Sequence, residues 1–388
     1  MTPDLCVLGL GYIGLPTSVL FAQAGLRVHG VDVDPRKLEL LARGECPIHE
    51  AELPERLKGV IDSGHLTVGP EPVPSKTFLL CVPSPVTEDR KADLSFVEAT
   101  TRMIAPVLEK GNLVILETTV PPGTCRQVIA PILQELRGWN PDTDYLLAHA
   151  PERVIPGAIF KELTGNARVV GGVTPEASRQ AAELYRRAGV REVHETTADV
   201  AELAKVVENT YRDVNIAFAN ELAAICRRLG VDVFDTIRLA NLHPRVNVHT
   251  PGIGVGGHCI PVDPWFLIHL CPDEAQIVRT ARAINDAKPH QVVDDILAAH
   301  GRGNIAPIGI LGLTYKPDVD DIRESPALEV VYLLERAHRT LRIFDPLIPE
   351  RSTATLEEVC SLPTVAVLTD HRAFQAVRGP KVLRWNRP

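Results

Sequence analysis

The chain has 388 residues, 45% of them hydrophobic and 23% charged, which allows two or three domains of ordinary soluble composition. Its net charge of −8 excludes a broad nucleic-acid-binding face but not an anionic small ligand, for which a few local cations and helix N-termini suffice. Eight scattered cysteines without a Cys-x-x-Cys pair suggest neither a metal site nor a disulfide framework; with no apolar run of membrane-spanning length and no basic leader, a cytoplasmic protein without a membrane partner is expected.

The first part of the chain alternates strand and helix. Residues 5–8 form a short apolar strand ending in Gly9-Leu10-Gly11-Tyr12-Ile13-Gly14, a helix is expected over 15–24, and a second strand over 26–31 ends at Asp32. This is the G-x-G-x-x-G fingerprint in a β-α-β frame, with an acid placed to bind a ribose hydroxyl. Asp32 would repel a 2′-phosphate, which favours NAD over NADP; Arg36 could serve such a phosphate or lie over the adenine. Strands at 77–82, 113–117 and 145–148 alternate with helices at 96–108 and 123–136, and a further strand and helix cover 168–173 and 175–188. Such alternation implies a parallel sheet with ligands outside the carboxyl ends of its strands. The loops 82–85, 118–122 and 150–153 therefore stand at the functional edge, although their prolines could simply fix loop shape.

Residues 198–229 contain neither proline nor glycine and carry apolar residues at helical spacing, which predicts one helix of about 30 residues, ~45 Å long. Lys205 and Asn209, four apart, project from one side of it, either as a solvated stripe or as a functional pair. Downstream, Pro251-Gly252-Ile253-Gly254-Val255-Gly256-Gly257-His258-Cys259 sets a cysteine behind four glycines, with Asp263 following. Glycines allow close approach to a ligand, and a cysteine among polar groups can be a nucleophile; a turn with a buried cysteine is the plainer alternative. From residue 305 the pattern returns to strands near 308–313, 341–344 and 364–368, with a helix over 327–334. Lys316 and Arg323 follow the first of these strands, as a phosphate site or as a salt-bridge network with Asp318, Asp320 and Asp321. The fold class expected is α/β, with two Rossmann-like parallel-sheet domains joined by a long central helix.

Along nearly its whole length the chain resembles the UDP-glucose/GDP-mannose dehydrogenase family. The resemblance is carried by Pro151-Glu152-Arg153-Val154-Ile155-Pro156-Gly157, by residues 208–221 beginning Glu208-Asn209-Thr210, by Leu239-Ala240-Asn241-Leu242-His243-Pro244-Arg245-Val246-Asn247, by the glycine–cysteine stretch and by Asp320-Asp321-Ile322-Arg323-Glu324-Ser325-Pro326. On these stretches together the chain most resembles the UDP-N-acetylmannosamine 6-dehydrogenase branch, and the Gly256-Gly257-His258-Cys259 form is similar to the N-acetylhexosamine enzymes. The resemblance implies three segments: an NAD-binding Rossmann-like domain over 1–196, a central helical and dimerisation region with the cysteine loop over 197–300, and a UDP-sugar-binding Rossmann-like domain over 301–388.

It also implies four-electron oxidation of a sugar C6 alcohol to the carboxylate with two NAD⁺. Cys259 would attack the intermediate aldehyde and pass through a thiohemiacetal and a thioester. Lys205 and Asn209 would stabilise the oxyanions, and Asp263, Thr119 and Glu152 would orient or activate water, with Glu152 as the hydrolytic base. Gly9, Gly11, Tyr12, Ile13, Gly14, Asp32, Arg36, Lys37, Ser84, Thr119 and Arg323 would hold NAD. Arg153, Val154, Lys205, Asn209, Gly252, Gly256, His258 and Lys316 would hold the UDP-sugar, with Arg245 reaching a neighbouring subunit's substrate in a homodimer. His258 stands open between lowering the thiol pKa, contacting the N-acetyl sugar and packing. Ser84 replaces the commoner threonine, and the chain ends at Arg384-Trp385-Asn386-Arg387-Pro388, short enough to expect a missing last strand or turn.

UDP-N-acetylmannosamine is the expected substrate. UDP-N-acetylglucosamine or UDP-glucose with the same chemistry, a two-electron dehydrogenase, and a non-catalytic nucleotide-sugar binder are the alternatives.

Overall fold

The computed structural model describes residues 2–387 apart from 49, 51, 142, 155, 156, 302 and 380, so Ile155 and Pro156 of the family-like stretch lie outside the described residues. It divides into two compact units, Met1–Val206 and Val207–Pro388, with the division falling inside one continuous helix, Ala198–Leu229.

The first unit is built on eight strands: β1 (Leu5–Leu8), β2 (Val28–Val31), β3 (Leu66–Gly69), β4 (Thr77–Leu80), β5 (Leu113–Leu116), β6 (Leu146–His149), β7 (Arg168–Gly172) and β8 (Val193–Thr197). Their order in the sheet is β3-β2-β1-β4-β5-β6-β7-β8. All residues of β1, β4 and β5 are buried, as strands covered on both faces must be. Alternation divides them: Leu5, Val7, Leu79 and Ile115 enter one core, and Cys6, Leu8, Phe78, Leu80, Val114 and Leu116 the other. The edge strand β3 has no counterpart in the sequence reading, since a four-residue segment with one buried residue leaves little apolar periodicity.

Two expectations are corrected. The helix expected over 123–136 is a five-residue π turn, Cys125–Ile129, followed by an α-helix, Ala130–Arg137. Pro131 has no N–H to give to the carbonyl four residues back, so the regular ladder is interrupted there. The sheet is also not wholly parallel, because β7 runs antiparallel to β6. The connection from β6 to β7 therefore begins and ends at one edge of the sheet. It sets Arg168, the first residue of β7, at the carboxyl end of β5 and β6.

The second unit has four parallel strands, β9 (Ile308–Leu311), β10 (Leu341–Phe344), β11 (Val365–Val367) and β12 (Val382–Leu383), in the order β10-β9-β11-β12. The C-terminal stretch supplies the edge strand β12, paired with β11. Ser325 caps helix Pro326–Arg336 by accepting the Ala327 N–H at 3.3 Å, and Pro326 stands in its first turn, where no N–H is needed.

The part of the long helix in this unit is tied to helix Gln276–His300 by buried polar groups. Arg282 pairs with Asp213 at 2.6 Å, Asn285 Nδ2 donates to Asp213 at 2.9 Å, and Asn220 Nδ2 donates to Asn285 at 3.0 Å. Asn220 then accepts the Gly252 N–H at 2.9 Å, which fixes where the glycine-rich stretch begins. Among the described residues no helix is long and apolar enough to cross a membrane.

Candidate active site

In the first unit the fingerprint glycines have separate jobs. A Cβ on Gly9, whose φ is +93°, would fall 2.5 Å from the Cys81 carbonyl oxygen, and one on Gly14 would fall 1.8 Å from the Gly9 carbonyl oxygen. Those two let strand, turn and helix pack. Gly11 has nothing within 4 Å of its Cβ position, so its missing side chain leaves open space at the helix N-terminus, where a pyrophosphate can approach backbone. Tyr12 is exposed at this turn and Ile13 stands at the N-cap of helix Gly14–Gln23.

Asp32 accepts the Leu10 N–H at 2.9 Å, the Asp34 N–H at 3.0 Å and the Lys37 ammonium at 2.7 Å. Burial alone would raise its pKa, but Lys37 and the two N–H groups hold it below the usual carboxylate range. A carboxylate offers about four acceptor positions, so this one stays anionic with room for a ribose hydroxyl. Arg36 is exposed, and its backbone N–H caps onto Asp34 at 2.9 Å. These residues fit a dinucleotide with a free 2′-hydroxyl.

At the same sheet edge the Ser84 hydroxyl donates to the Thr119 carbonyl at 2.6 Å, joining the loops after β4 and β5. Glu152 follows β6; it accepts the Arg153 N–H at 2.6 Å and is ion-paired with buried Arg168, which also pairs with Glu117. Arg153 Nη1 donates to the Ala167 carbonyl at 3.1 Å, and half-buried Val154 packs against the first core. Glu202 accepts the Gly123 and Cys125 N–H groups at 2.5 and 2.9 Å, one turn before half-buried Lys205. With Cys125 and His149 it forms the set of potential metal-ligating atoms lying within 4.8 Å of one another among the described residues, although its carboxylate is already engaged by backbone.

In the second unit Asn209 Nδ2 donates to Asp263 Oδ2 at 2.6 Å, and both side chains are buried. Asp263 opens helix Asp263–Leu270, and its own N–H donates to the Cys259 carbonyl at 2.9 Å. The half-buried Cys259 Sγ lies 3.2 Å from His258 Nδ1. The glycines before it permit close packing against the 315–326 strap. A Cβ on Gly256 would meet the Glu324 carbonyl oxygen at 2.7 Å, Gly257 has φ +85° beside the Tyr315 ring, and the Gly257 N–H donates to the Arg323 carbonyl at 3.0 Å. Arg323 itself forks onto Asp321 through Nε at 3.0 Å and Nη2 at 2.5 Å, so it is the local salt-bridge alternative that the structure realises for this arginine. Lys316 and Arg245 are exposed, and Asp318 pairs instead with Arg372 at 2.8 Å.

The strand-end acid recurs in this unit. Asp345, after β10, accepts the Leu313 N–H at 2.6 Å much as Asp32 accepts that of Leu10, but His371 Nε2 covers it at 3.2 Å and it is fully buried. The fingerprint's second glycine is replaced here by Thr314. Sequence reasoning missed the Glu117–Arg168–Glu152 set, the Asp213–Arg282–Asn285 set and the role of Asn220. Each joins residues far apart in the chain, and no local spacing announces it.

The chain matches the NAD binding domain of the UDP-glucose/GDP-mannose dehydrogenase family over residues 3–189, the central domain over 199–287 and the UDP binding domain over 309–386. It is 42% identical to the UDP-N-acetyl-D-mannosamine dehydrogenase of Escherichia coli K12, covering 97% of this chain and 96% of that one. It is 41% identical to the NDP-N-acetyl-D-galactosaminuronic acid dehydrogenase of Ralstonia nicotianae, covering 96% and 91%. The solved UDP-D-ManNAc dehydrogenase of Pyrococcus horikoshii superposes with a TM-score of 0.92 at 41% identity, covering 98% and 93%.

Proposed function

As the chain belongs to the UDP-glucose/GDP-mannose dehydrogenase family and is an NAD-dependent nucleotide-sugar dehydrogenase, we propose that it oxidises the C6 hydroxyl of UDP-N-acetylmannosamine to the uronic acid. The substrate rests on the names of the relatives; the four-electron course rests on one arrangement in the second unit. There a thiol 3.2 Å from an imidazole precedes a helix whose first carboxylate is bonded to the helix amide of Asn209.

Gly9–Gly14 with Tyr12, Ile13, Asp32, Arg36, Lys37, Ser84, Thr119 and Arg323 would hold NAD, which when bound would supply the acceptor for each of the two hydrides that leave C6. A C6 aldehyde has no further hydride to give until a nucleophile adds. Cys259 forms the C–S bond, giving a thiohemiacetal and, after the second hydride leaves, a thioester. Lys205 and Asn209 donate to the C6 oxygen as negative charge develops on it. The buried Asp263 fixes the Asn209 amide and, with Thr119, orients water, while Glu152 removes its proton. Arg153, Val154, Gly252, Gly256, His258 and Lys316 bind the UDP-sugar; His258 holds the thiol as its polar neighbour.

The same reading divides the chain into an NAD-binding segment over 1–196, a central segment over 197–300 and a UDP-sugar segment over 301–388. It makes the enzyme a cytoplasmic homodimer in which Arg245 addresses the neighbour's substrate. Support for the dimer comes from the long helix: Tyr211, Phe218 and Ile225 recur every seventh residue and are 56%, 52% and 46% exposed, beside an apolar groove lined by Val214 and Ile277.

The substrate is tested by kcat/KM over a panel of UDP-N-acetylmannosamine, UDP-N-acetylglucosamine, UDP-N-acetylgalactosamine and UDP-glucose. The proposal requires UDP-N-acetylmannosamine to lead; a lead for another member overturns it.

A further inference from the structure

The buried Glu117–Arg168–Glu152 set carries an inference that rests on reading Glu152 as the base that hydrolyses the thioester. One guanidinium faces two carboxylates, and all three side chains are nearly sealed from solvent, at 5%, 0% and 8% exposure for Arg168, Glu117 and Glu152. Glu117 is the more heavily tethered acid: besides Arg168 it accepts the Tyr185 hydroxyl at 2.8 Å and the Cys81 thiol at 3.0 Å. Arg168 is fixed in turn by the Ala150 carbonyl at 2.9 Å and by the Tyr185 ring, whose centroid lies 4.0 Å from Cζ.

Burial and the neighbouring Glu152 push the Glu117 carboxyl up, and only Arg168 and the two donors oppose them. Burial likewise drives the Cys81 thiol and the Tyr185 phenol upward, so both remain neutral donors. His149, the other titratable group beside Arg168, is held neutral by its burial.

A second buried carboxylate is a costly way to hold one arginine, because each desolvated charge carries a penalty that a single pair recovers only with good geometry. Its position gives it a use. The antiparallel turn of β7 brings Arg168 to the carboxyl ends of β5 and β6, between the residue before Thr118-Thr119 and the acid after β6.

We propose that Glu117 is a positioning residue for the hydrolytic half of the reaction. By occupying one edge of the Arg168 guanidinium, it lets Arg168 orient Glu152 without neutralising it outright. In that half-reaction water oxygen bonds to the thioester carbonyl carbon and one water proton passes to the Glu152 carboxylate. The C–S bond then breaks, with its electron pair leaving on Cys259, so nothing is oxidised or reduced. With Glu117 uncharged, Arg168 belongs to Glu152 alone, and the base is paired out of use.

The experiment compares Glu117→Gln, Glu152→Gln and the parent enzyme with UDP-N-acetylmannosamine and NAD⁺, following NADH in the first turnover and the mass of the protein. For Glu117→Gln the expected result is a burst of two NADH per active site and a sugar-acyl adduct on Cys259. Steady turnover should fall ~10-fold or more, a fraction of the loss expected for removing a general base, and KM for the UDP-sugar should fall with it, leaving kcat/KM nearly unchanged. Slower turnover without the adduct, or turnover equal to that of the parent, overturns the inference. Glu152→Gln separates the two levels: if it too fails to accumulate adduct, the reading of Glu152 as base is wrong; if it accumulates adduct and Glu117→Gln does not, only the role of Glu117 is wrong. Should Glu117→Gln not fold, Glu117→Met, which removes the charge at similar volume, is expected to accumulate the same adduct, and its absence there counts equally against the proposal.

Discussion

Acid should destabilise the first unit through His149. It ends β6, is completely buried, and its pKa is pushed down to about 3 by burial, with the charges of Arg168 and Lys205 adding to the effect. In the unfolded chain the same ring titrates near 6.5. Between those values the unfolded state binds a proton that the folded state refuses, so stability rises with pH across this window and falls on acidification. At pH 5 the ring is about 1.5 units below its unfolded pKa, which at 1.36 kcal/mol per unit makes the loss relative to neutral pH about 2 kcal/mol.

The perturbation is His149→Gln, a neutral side chain of similar reach. Urea unfolding of parent and variant is followed by circular dichroism at pH 7 and pH 5, with the slope m checked for constancy. Carboxylates common to both proteins cancel in the comparison. The parent should lose about 2 kcal/mol more than the variant between the two pH values. An equal loss in both would mean that His149 is not the titrating group responsible.

Three further outcomes follow from the geometry. Gly11→Ala meets open space and should leave the melting temperature of the apoprotein nearly unchanged while raising the Kd for NAD⁺. Gly14→Ala would place Cβ 1.8 Å from the Gly9 carbonyl oxygen and should lower the melting temperature itself; calorimetry and NAD⁺ titration separate the two. Arg282→Met strands the fully buried Asp213 carboxylate and should cost about 3–5 kcal/mol, whereas the double variant with Asp213→Leu should recover most of it. Phe218→Glu puts a charge in the middle of the exposed apolar row of the long helix, and sedimentation should show the parent as a dimer and the variant as a monomer.

Much of the fold is legible in the chain because its signals are local. The run Leu5–Leu8, the glycine fingerprint and Asp32 announce a β-α-β unit by spacing alone, and the absence of breakers sets the helix Ala198–Leu229 at its observed ends. Strands as short as β3 and β12 carry too few alternations to be read, and the reversal of β7 leaves no trace in periodicity because parallel and antiparallel partners use the same alternation. The candidate site divides in the same way. Cys259, His258 and the glycines are neighbours in sequence, so their proximity is written there. The bond between Asn209 and Asp263 spans 54 residues and that between Arg168 and Glu117 spans 51, and only the fold creates them.

The proposed reaction removes four electrons from each sugar at one active site through a cysteine adduct. Counting NADH formed per UDP-N-acetylmannosamine consumed, for the parent and for Cys259→Ser, tests it most directly. Two NADH per sugar with uronic acid as product are expected in the parent, and no uronic acid in the variant although NAD⁺ and UDP-sugar still bind. One NADH per sugar in the parent, or undiminished uronic acid formation in Cys259→Ser, would contradict it.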